Sequence, residues 1–499
     1  MELKYKDMTC CEVIGNLVTS HEETTETAIP EYCPDMTRIV DTVGQMKIRE
    51  KSIAEGKLTV AGTVKVTVLY TSEESAGLRS LSLSVPFSAV IEDQRLQHCR
   101  TVCVDGRLLL AESRIVTNRK LYVRVMPELT ATGYTCPRKS VCRETEEDPS
   151  LRIKREETEV ELLTAAEERE FTLAQESVLD DGHELPEDLL CDKIALAVTE
   201  CQHFGNKLVV KGEATLSVLY RSEQQNLNSY RAVLPFSQII DGIEASENAT
   251  FHVQAYAMDG ETRLMRSDSG SGFGVVQKIA LLVCVYEKHV INYIADLYST
   301  RYPCVVQRQP LHFDMERVCR AEKQNVKQRL EFGQNRPFVY VTDATCDQAD
   351  MTAGENGTQL HSRLRMKLLY LDETGAPVST ERSVEVNGVT TEMPDHVQAV
   401  CHPCSMRVDG GVCEVNVPVE FRMSKTERIQ LMQVSDAQLQ TDAAQEEMPS
   451  LILRRMTPGE SLWDIAKQYR TDEHAIRNAN QLEENEEIPD CMLLIPKVR

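Results

Sequence analysis

One strand-like stretch recurs three times at a constant interval. LTVAGTVKVTVLY ends at Tyr70, LVVKGEATLSVLY ends at Tyr220, and QLHSRLRMKLLY ends at Tyr370. The tyrosines are 150 residues apart (220 − 70 and 370 − 220). Within each copy apolar residues take alternate positions, which is the period of a β-strand with one face on a core. Because a slip of one residue would turn that face to water, the pattern predicts one β-rich unit built three times.

The sequence around the repeated strand is repeated as well. VPFSAVI follows the first copy and LPFSQII follows the second, so Phe87 and Phe236 are expected at equivalent core positions. The three tyrosines are expected to be structural, with each hydroxyl reaching solvent or a backbone partner. Short alternating strands and polar turns predict a mainly β fold of tandem β-sandwich-like modules. A repeat of 150 residues is too long for a solenoid unit, so separate beads on a string are expected.

The repeat divides the chain into four modules and a linker. The predicted bounds are 1–145 for module 1, 146–302 for module 2, 303–437 for the more divergent module 3, 438–449 for an acidic linker, and 450–499 for a C-terminal module. The stretches 163–175 and 316–332 are predicted to hold short helices at module entrances.

The C-terminal module has a different pattern, which reads as strand, helix, helix, strand. Ser461 can cap the first helix, with Asp464 as its capping-box partner. One face of that helix is apolar through Leu462, Ile465, Ala466 and Tyr469. Thr471 or Asp472 is predicted to begin the second helix, and MLLIP is predicted to return as the closing strand. The sequence therefore predicts a small βααβ domain.

Charge and cysteine content narrow the functional classes. The formal net charge is −23, from 55 basic and 78 acidic residues, which makes nucleic acid and anionic membrane surfaces poor partners. The N-terminus carries charges where a signal peptide needs an apolar core, and no apolar run approaches the ~20 residues of a membrane span. We therefore expect a soluble protein without membrane insertion. Seventeen scattered cysteines, an odd number, indicate reduced thiols in a cytosol.

One motif has the spacing of residues that could carry out redox or metal chemistry, CHPC at 401–404. Its spacing matches a redox pair, but such a pair needs a helix N-terminus to stabilise the thiolate, and strand-like sequence follows here. A zinc site would have to use Cys401, His402, Cys404 and Cys413. Packing in a loop is favoured over both alternatives. With no credible nucleophile–base set, the chain is predicted to be no enzyme and to hold no cofactor or metal.

Residues 450–499 resemble a LysM module. The matching residues are Pro458, Gly459, Ser461, Leu462, Trp463, Ile465, Ala466, Tyr469, Asn480, Leu482, Leu493, Ile495 and Pro496. The resemblance implies a site for N-acetylglucosamine-containing glycans, or for a protein partner, between two loops. The residues implied as binding are Thr457, Gly459, Glu460, Ser461, Asn480, Gln481, Leu482, Ile488 and Asp490.

This LysM-like sequence departs from the usual pattern at three places. Asp490 replaces the usual glycine before the last strand, Arg454 replaces a frequent aromatic, and the second loop contains the acidic run EENEE. An acidic loop suits a basic protein surface better than a sugar. Trp463, the only tryptophan, could stack on a sugar but is expected to pack in the core.

The front repeats are similar to SPOCS domains, the modules of bacterial spore-coat and spore-envelope proteins. The stretches IPEYCPDMTRIVDTVGQ, GTVKVTVLY and VPFS carry the similarity. SPOCS repeats followed by one LysM resemble the architecture of clostridial spore morphogenetic proteins. This implies a non-enzymatic scaffold in the mother-cell cytosol at the outer forespore surface. Its implied partners are the basement-layer ATPase of the coat, stage IV sporulation protein A, and other coat proteins.

Two other hypotheses remain open from the sequence. The first is a protein that binds peptidoglycan or another N-acetylglucosamine glycan of the spore cortex or envelope through the LysM-like module. The second is a thiol- or zinc-dependent regulator built on Cys401 and Cys404.

Overall fold

The computed structural model describes residues 1–499 except 74–76, 268–269, 320, 333–337, 356, 442–449, 458–459, 483–491 and 498–499. The described chain is mainly β-strand, with two short α-helices near its C-terminus, which confirms the predicted fold class. Strand pairing in the described residues stays within four stretches, 3–145, 151–299, 304–439 and 451–496. We propose these stretches as the units of the predicted division into modules.

Module 1 is a sandwich of two sheets with an additional ribbon. Its elements are β1 (Leu3–Thr9), β2 (Glu12–Ser20), β3 (Glu23–Ala28), β4 (Arg38–Ala54), β5 (Lys57–Thr71), β6 (Arg79–Glu92), a 3₁₀ helix (Gln94–His98), β7 (Thr101–Thr117), β8 (Lys120–Thr135) and β9 (Arg138–Thr145). One sheet has the order β4-β5-β6; the other has the order β2-β8-β3, with β7 also on β8. Both sheets contribute side chains to one apolar core. Strands β1 and β9 form the separate two-stranded ribbon.

Module 2 uses fewer and longer strands for the same arrangement. They are β10 (Leu151–Val178), β11 (Pro186–Phe204), β12 (Lys207–Ser222), β13 (Leu227–Asp241), β14 (Thr250–Ser267) and β15 (Gly270–Ser299). The sheets are β11-β12-β13 and β10-β15-β14. The helix predicted at 163–175 is wrong, because β10 pairs with β15 along its whole length and this stretch lies inside the ladder.

Module 3 repeats the plan with more interruptions. Its strands are β16 (Cys304–Val318), β17 (Glu322–Glu331), β18 (Val339–Cys346), β19 (Asp350–Gly354), β20 (Gly357–Leu371), β21 (Pro377–Thr390), β22 (His396–Cys401), β23 (Ser405–Asp409) and β24 (Val412–Leu439). One sheet contains β18 to β21, and the other is built on β24. The helix predicted at 316–332 is wrong. Burial alternates along β17 with the period of a strand, and β24 supplies its hydrogen bonds.

The C-terminal module has the predicted βααβ order. Its elements are β25 (Leu451–Arg455), α1 (Leu462–Tyr469), α2 (Glu473–Asn480) and β26 (Met492–Pro496). Ser461 caps α1 and forms the expected capping box with Asp464, and Asp472 caps α2. The local signals for helix starts were therefore sufficient here.

A small residue opposite a large one recurs in the central strand pair of each module. The pairs are Gly62–Phe87 in β5–β6, Gly212–Phe236 in β12–β13 and Ser362–Val386 in β20–β21. A Cβ atom on Gly62 would lie 2.7 Å from Cζ of Phe87, so the ring occupies the space that the missing side chain leaves. The equivalence predicted for Phe87 and Phe236 is confirmed. In module 3 both partners change in size: Ser362 is larger than glycine, and Val386 is smaller than phenylalanine.

The repeated tyrosines also occupy equivalent places. The hydroxyl of Tyr70 donates to the carbonyl of Pro34 (3.5 Å), and that of Tyr220 donates to the carbonyl of Glu184 (3.0 Å). Each acceptor lies 36 residues before its tyrosine. Both tyrosines are buried, and Tyr370 is half-buried against the ring of Phe332. The structural role predicted for Tyr70 and Tyr220, with a backbone partner, is confirmed.

The three modules are packed together, so the expectation of separate beads is wrong. Leu69, Leu219 and Leu369, again 150 residues apart, are fully buried in one cluster to which every module contributes. The other buried members are Val43, Leu78, Leu190, Cys191 and Tyr340. The first and last strands of each module pair as a ribbon, β1 with β9, β10 with β15 and β16 with β24, and the three ribbons share two further clusters in the same way. Because each module leaves apolar residues on the outside of its own sandwich, association is needed to bury them.

A ring of ion pairs surrounds this central cluster. Each module donates one lysine to an aspartate of the next, and the third module donates back to the first. The pairs are Lys65–Asp192 (2.7 Å), Lys193–Asp343 (2.7 Å) and Lys367–Asp41 (3.8 Å). The three aspartates are 151 residues apart and follow the sequence repeat, whereas the lysines do not, because Lys193 lies on β11 and the other two lie on the central strands β5 and β20. The single chain thus has the organisation of a cyclic trimer.

One cysteine pair departs from the prediction of reduced thiols. Cys11 and Cys136, which lie one residue beyond the end of the β2–β8 ladder, are joined by a disulfide. The other cysteines that the structure describes are free. The odd count in the sequence could not indicate this pair, because its members lie 125 residues apart and meet only through the sheet.

Candidate functional site on the C-terminal module

The C-terminal module is attached to the end of the module 2 ribbon. Trp463 on α1 packs edge-on against Tyr298 of β15, with ring centroids 4.9 Å apart. Its indole Nε1 donates to Oδ2 of Asp296 (2.8 Å), and Nζ of Lys467 donates to both carboxylate oxygens of Asp296 (2.5 and 2.8 Å). The hydroxyl of Tyr298 donates to the carbonyl of Thr471 (2.8 Å). A few charged and aromatic contacts therefore fix the position of this module.

This geometry decides between the two interpretations of Trp463. The side chain is 9% exposed and takes part in the junction with module 2, so it is not available as an open sugar platform. The prediction that Trp463 packs in a core is confirmed. Its packing partner on another module could not be predicted, because nothing in the local sequence refers to Asp296.

An ion pair that does not involve Trp463 also joins the C-terminal module to module 2. Arg152 of β10 pairs with Asp472, the N-cap of α2. Burial tends to raise the pKa of Asp472, but the bond from Arg152 and the backbone amide of His474 outweigh it, so the pKa is lowered. The carboxylate is thus held in its charged form, in which it caps the helix and binds the arginine.

The first predicted binding loop is organised by internal bonds. Glu460 accepts from the Thr457 amide (3.2 Å) and from Arg454 (2.6 Å), and these contacts lower its pKa. Ser461 is engaged with Asp464 in the capping box. Arg454, at the position of the frequent aromatic, lies over the Tyr469 ring and holds the loop through Glu460. Thr457 and Ser461 remain exposed. Gly459 lies outside the described residues.

In the second predicted loop some residues stabilise the module and others are exposed to solvent. Asn480 donates to the carbonyls of Ile476 and Leu494 and accepts from the Leu494 amide (all 2.7 Å), so it joins α2 to β26. Gln481 ends α2 in the left-handed region (φ 54°) and is exposed. Leu482 packs partly against the core of the module. Ile488 and Asp490 lie outside the described residues. That the residues of the two loops bind a partner stays a prediction.

An apolar patch that the sequence analysis missed lies on the outer face of the small sheet. Leu451 and Leu453 of β25 are 56% and 60% exposed, and Met492 of β26 is 51% exposed. The ladder pairs Leu453 with Leu494 and Arg455 with Met492, which puts these apolar side chains on one face. We call Leu451, Leu453 and Met492 the outer patch. The i, i+2 spacing of Leu451 and Leu453 shows in the sequence that both lie on one face of the sheet. It does not show whether the helices of the module cover that face.

The other predicted alternative concerns Cys401 and Cys404. Cys401 is the last residue of β22 and Cys404 follows in the connection to β23, so neither begins a helix. Within the described residues, no group of three or more His, Cys, Asp or Glu side chains is arranged to hold a metal ion. The nearest sulfur partner of Cys401 is Cys346, which is 55 residues earlier in the chain.

Comparison with protein families finds matches in modules 1 and 2 and in the C-terminal module. Residues 35–113 and 187–263 match the model described as SipL, SPOCS domain, and residues 457–489 match the LysM domain model. The chain carries SPOCS domains and a LysM domain. This is the SipL-like architecture that the sequence resemblance predicted. No curated protein and no solved structure matches the chain.

The matched SPOCS segments lie in modules 1 and 2. That module 3 is a divergent SPOCS domain is our proposal, supported by its equivalent sheet plan and by its share in the central cluster. SPOCS and LysM domains are non-catalytic binding domains, and together they fit a protein that is associated with the spore coat and is capable of binding glycan. In the described part of the chain, no helix has both the length and the apolar character that a membrane crossing requires.

Proposed function

We propose that this protein is a non-enzymatic adaptor of spore-coat assembly, located in the mother-cell cytosol at the forespore surface. It docks through its LysM and SPOCS domains onto the basement-layer ATPase of the coat, stage IV sporulation protein A, and onto other coat proteins. The observation that carries the proposal is the outer patch. Exposed aliphatic side chains grouped on one face mark a surface for a protein partner.

The chemistry of the patch favours a protein over a sugar. A glycan presents mainly hydroxyl and amide groups, which seek polar partners, and gains little from leucine and methionine side chains. A protein partner can bury these side chains in a pocket, and each fully buried one contributes about 1.5–3 kcal/mol. The acidic run in the second loop, as read from the sequence, suits a basic protein surface beside the patch.

The packing of the modules supports an adaptor as well. LysM is attached to a body of three associated modules, so a partner bound at LysM is brought close to the SPOCS surfaces. Linked contacts of this kind raise the effective concentration of the second contact, and weak individual surfaces can then hold a layer together.

The test is a binding titration of the full-length chain against the ATPase and, separately, against N-acetylglucosamine oligomers. Leu453→Glu is expected to weaken ATPase binding at least about tenfold, which corresponds to about 1.4 kcal/mol. Ile239→Glu is the matched control, because Ile239 is a similarly exposed aliphatic residue (62%) on β13 of module 2. ATPase binding that Leu453→Glu leaves unchanged would contradict the proposed surface.

The family match to LysM favours one alternative, a glycan-binding protein of the spore cortex or envelope. In that case the oligomers would bind the chain tightly, and Leu453→Glu would have no effect on them. Tight binding of sugar without binding of the ATPase would establish this alternative in place of the adaptor.

A further inference from the structure

A pair of thiols lies between the two sheets of module 3. Cys346 is the last residue of β18, and Cys401 is the last residue of β22. Strand β18 belongs to the sheet of β20, whereas β22 belongs to the sheet of β24. The two sulfur atoms are 3.0 Å apart. A disulfide needs about 2.05 Å, so a shift of about 1 Å would complete the bond.

The surroundings prepare one of these thiols for reaction. The sulfur atoms of Cys346 and Cys401 share a hydrogen bond, and this contact lowers the pKa of Cys346 although burial opposes the shift. The same contact, together with burial, raises the pKa of Cys401. Lys193 of module 2, a member of the ring of ion pairs, adds positive charge near Cys401 and Cys404. Thiolates are the reactive form of cysteine, so Cys346 is the expected nucleophile.

We propose that Cys346 and Cys401 form a reversible redox pair that links the two sheets of module 3 beside the junction with module 2. The oxidant is hydrogen peroxide. The Cys346 thiolate attacks the peroxide, a sulfenic acid forms, and the leaving oxygen takes up a proton as water. The Cys401 thiol then attacks the sulfenic sulfur and releases a second water. Two thiols lose two electrons and two protons, and one peroxide is reduced to two waters.

This pairing differs from the one that the sequence motif indicates. In CHPC the expected partners are Cys401 and Cys404, but Cys404 lies beyond the end of β22, with Pro403 before it in the connection. Its carbonyl accepts from Arg231 of module 2 (2.6 Å), which fixes that connection separately. Cys404 is therefore the natural control residue. The inference does not depend on the proposed adaptor function.

The experiment treats the full-length chain with hydrogen peroxide, alkylates the remaining thiols and maps the peptides by mass spectrometry without reduction. The expected result is a linked peptide pair containing Cys346 and Cys401, which disappears after treatment with dithiothreitol. A link between Cys401 and Cys404 would overturn the proposal, and so would the recovery of Cys346 and Cys401 without a link. The wild-type map decides the pairing even if a variant fails to fold.

Two variants sharpen the assignment. Cys404→Ser is expected to retain the linked peptide, because Cys404 takes no part in the bond. Cys346→Ser is expected to lose it and to leave Cys401 open to alkylation. Loss of the link in Cys404→Ser with retention of the fold, measured by circular dichroism, would assign the chemistry to the CHPC motif instead.

Discussion

The junction among the three β-modules and the junction between module 2 and LysM hold their parts in different ways. The first is an apolar cluster to which each of the three β-modules contributes buried residues, together with a ring of ion pairs between the modules. The second is a set of specific bonds, in which Asp296 alone serves two side chains of LysM. The first junction is therefore part of the folding core, and we expect the second to open more readily than the first.

The three ribbons can be compared position by position. Each ribbon has a bulge followed by an acidic residue, namely Glu144, Asp296 and Asp436 in the three modules. The backbone offers the same position three times, and in the part of the chain that the structure describes Asp296 is the one of the three that contacts LysM. A repeated scaffold thus places equivalent groups at three sites, and attachment of one further domain makes one of them unique.

The largest expected effect is at the central cluster. Leu219→Ala removes a fully buried side chain that packs among three modules, and it is expected to lower the free energy of unfolding by about 3–4 kcal/mol. Chemical denaturation measures this change. Ile239→Ala, on the exposed face of β13, is the control and should change it by less than about 0.5 kcal/mol. A small effect of Leu219→Ala would mean that the modules do not share a core in solution.

A smaller effect is expected at the LysM junction. Asp296→Ala leaves the buried indole N–H of Trp463 and the charge of Lys467 without their acceptor, and docking should weaken by about 2–3 kcal/mol. Trp463 is the only tryptophan, so its fluorescence reports the junction directly and should shift to the red. Asp436→Ala is the matched control at the equivalent ribbon position. Equal spectra of the two variants would contradict the docking.

A variant of the ring of ion pairs measures how much polar contacts stabilise the junction among the three β-modules. Asp192→Asn removes the charge that binds Lys65, while the amide oxygen can still accept from Thr262. We expect a loss of about 1–2 kcal/mol in the free energy of unfolding. Adding Lys65→Met to the variant should recover part of the loss, because no unpaired charge is then left. A double-mutant cycle measures the coupling.

The smallest effect is a response of the LysM junction to acid. The pKa of Asp472 is lowered in the folded protein, so its contribution is fully present above the ordinary carboxyl pKa and is lost as the pH falls below it. The ion pair with Arg152 is partly exposed and contributes at most about 1 kcal/mol. Trp463 fluorescence followed from pH 6 to about pH 3 should show the junction loosening. Asp472→Asn should reduce this pH dependence, and an unchanged profile would contradict the role of Asp472.

Much of the fold was accessible from the sequence because its signals are local or periodic. The alternation that ends at Tyr70, Tyr220 and Tyr370 predicted the repeat, and the capping pair Ser461 and Asp464 predicted the start of α1. The stretch 163–175 misled, because its residues have good helix propensity, whereas the continuous ladder of β10 with β15 supplies more hydrogen bonds.

The candidate site was less accessible. The family resemblance pointed to loop residues, yet Asn480 and Glu460 are occupied by bonds within the module. The outer patch escaped notice because the alternation of Leu451 and Leu453 is equally compatible with a buried and an exposed strand face. Which face of a two-stranded sheet is covered depends on where the helices pack, and the strand pattern does not contain that information.

The sequence by itself determined the repeated strand, its threefold repetition, and the order and identity of the C-terminal domain, because strand period, turn chemistry and caps act over a few residues. The tertiary structure alone decided that the modules associate around Leu69, Leu219 and Leu369, that Trp463 meets Asp296, and that Cys346 rather than Cys404 faces Cys401. These contacts join groups far apart in the chain, and their free energy arises only when packing removes both partners from water.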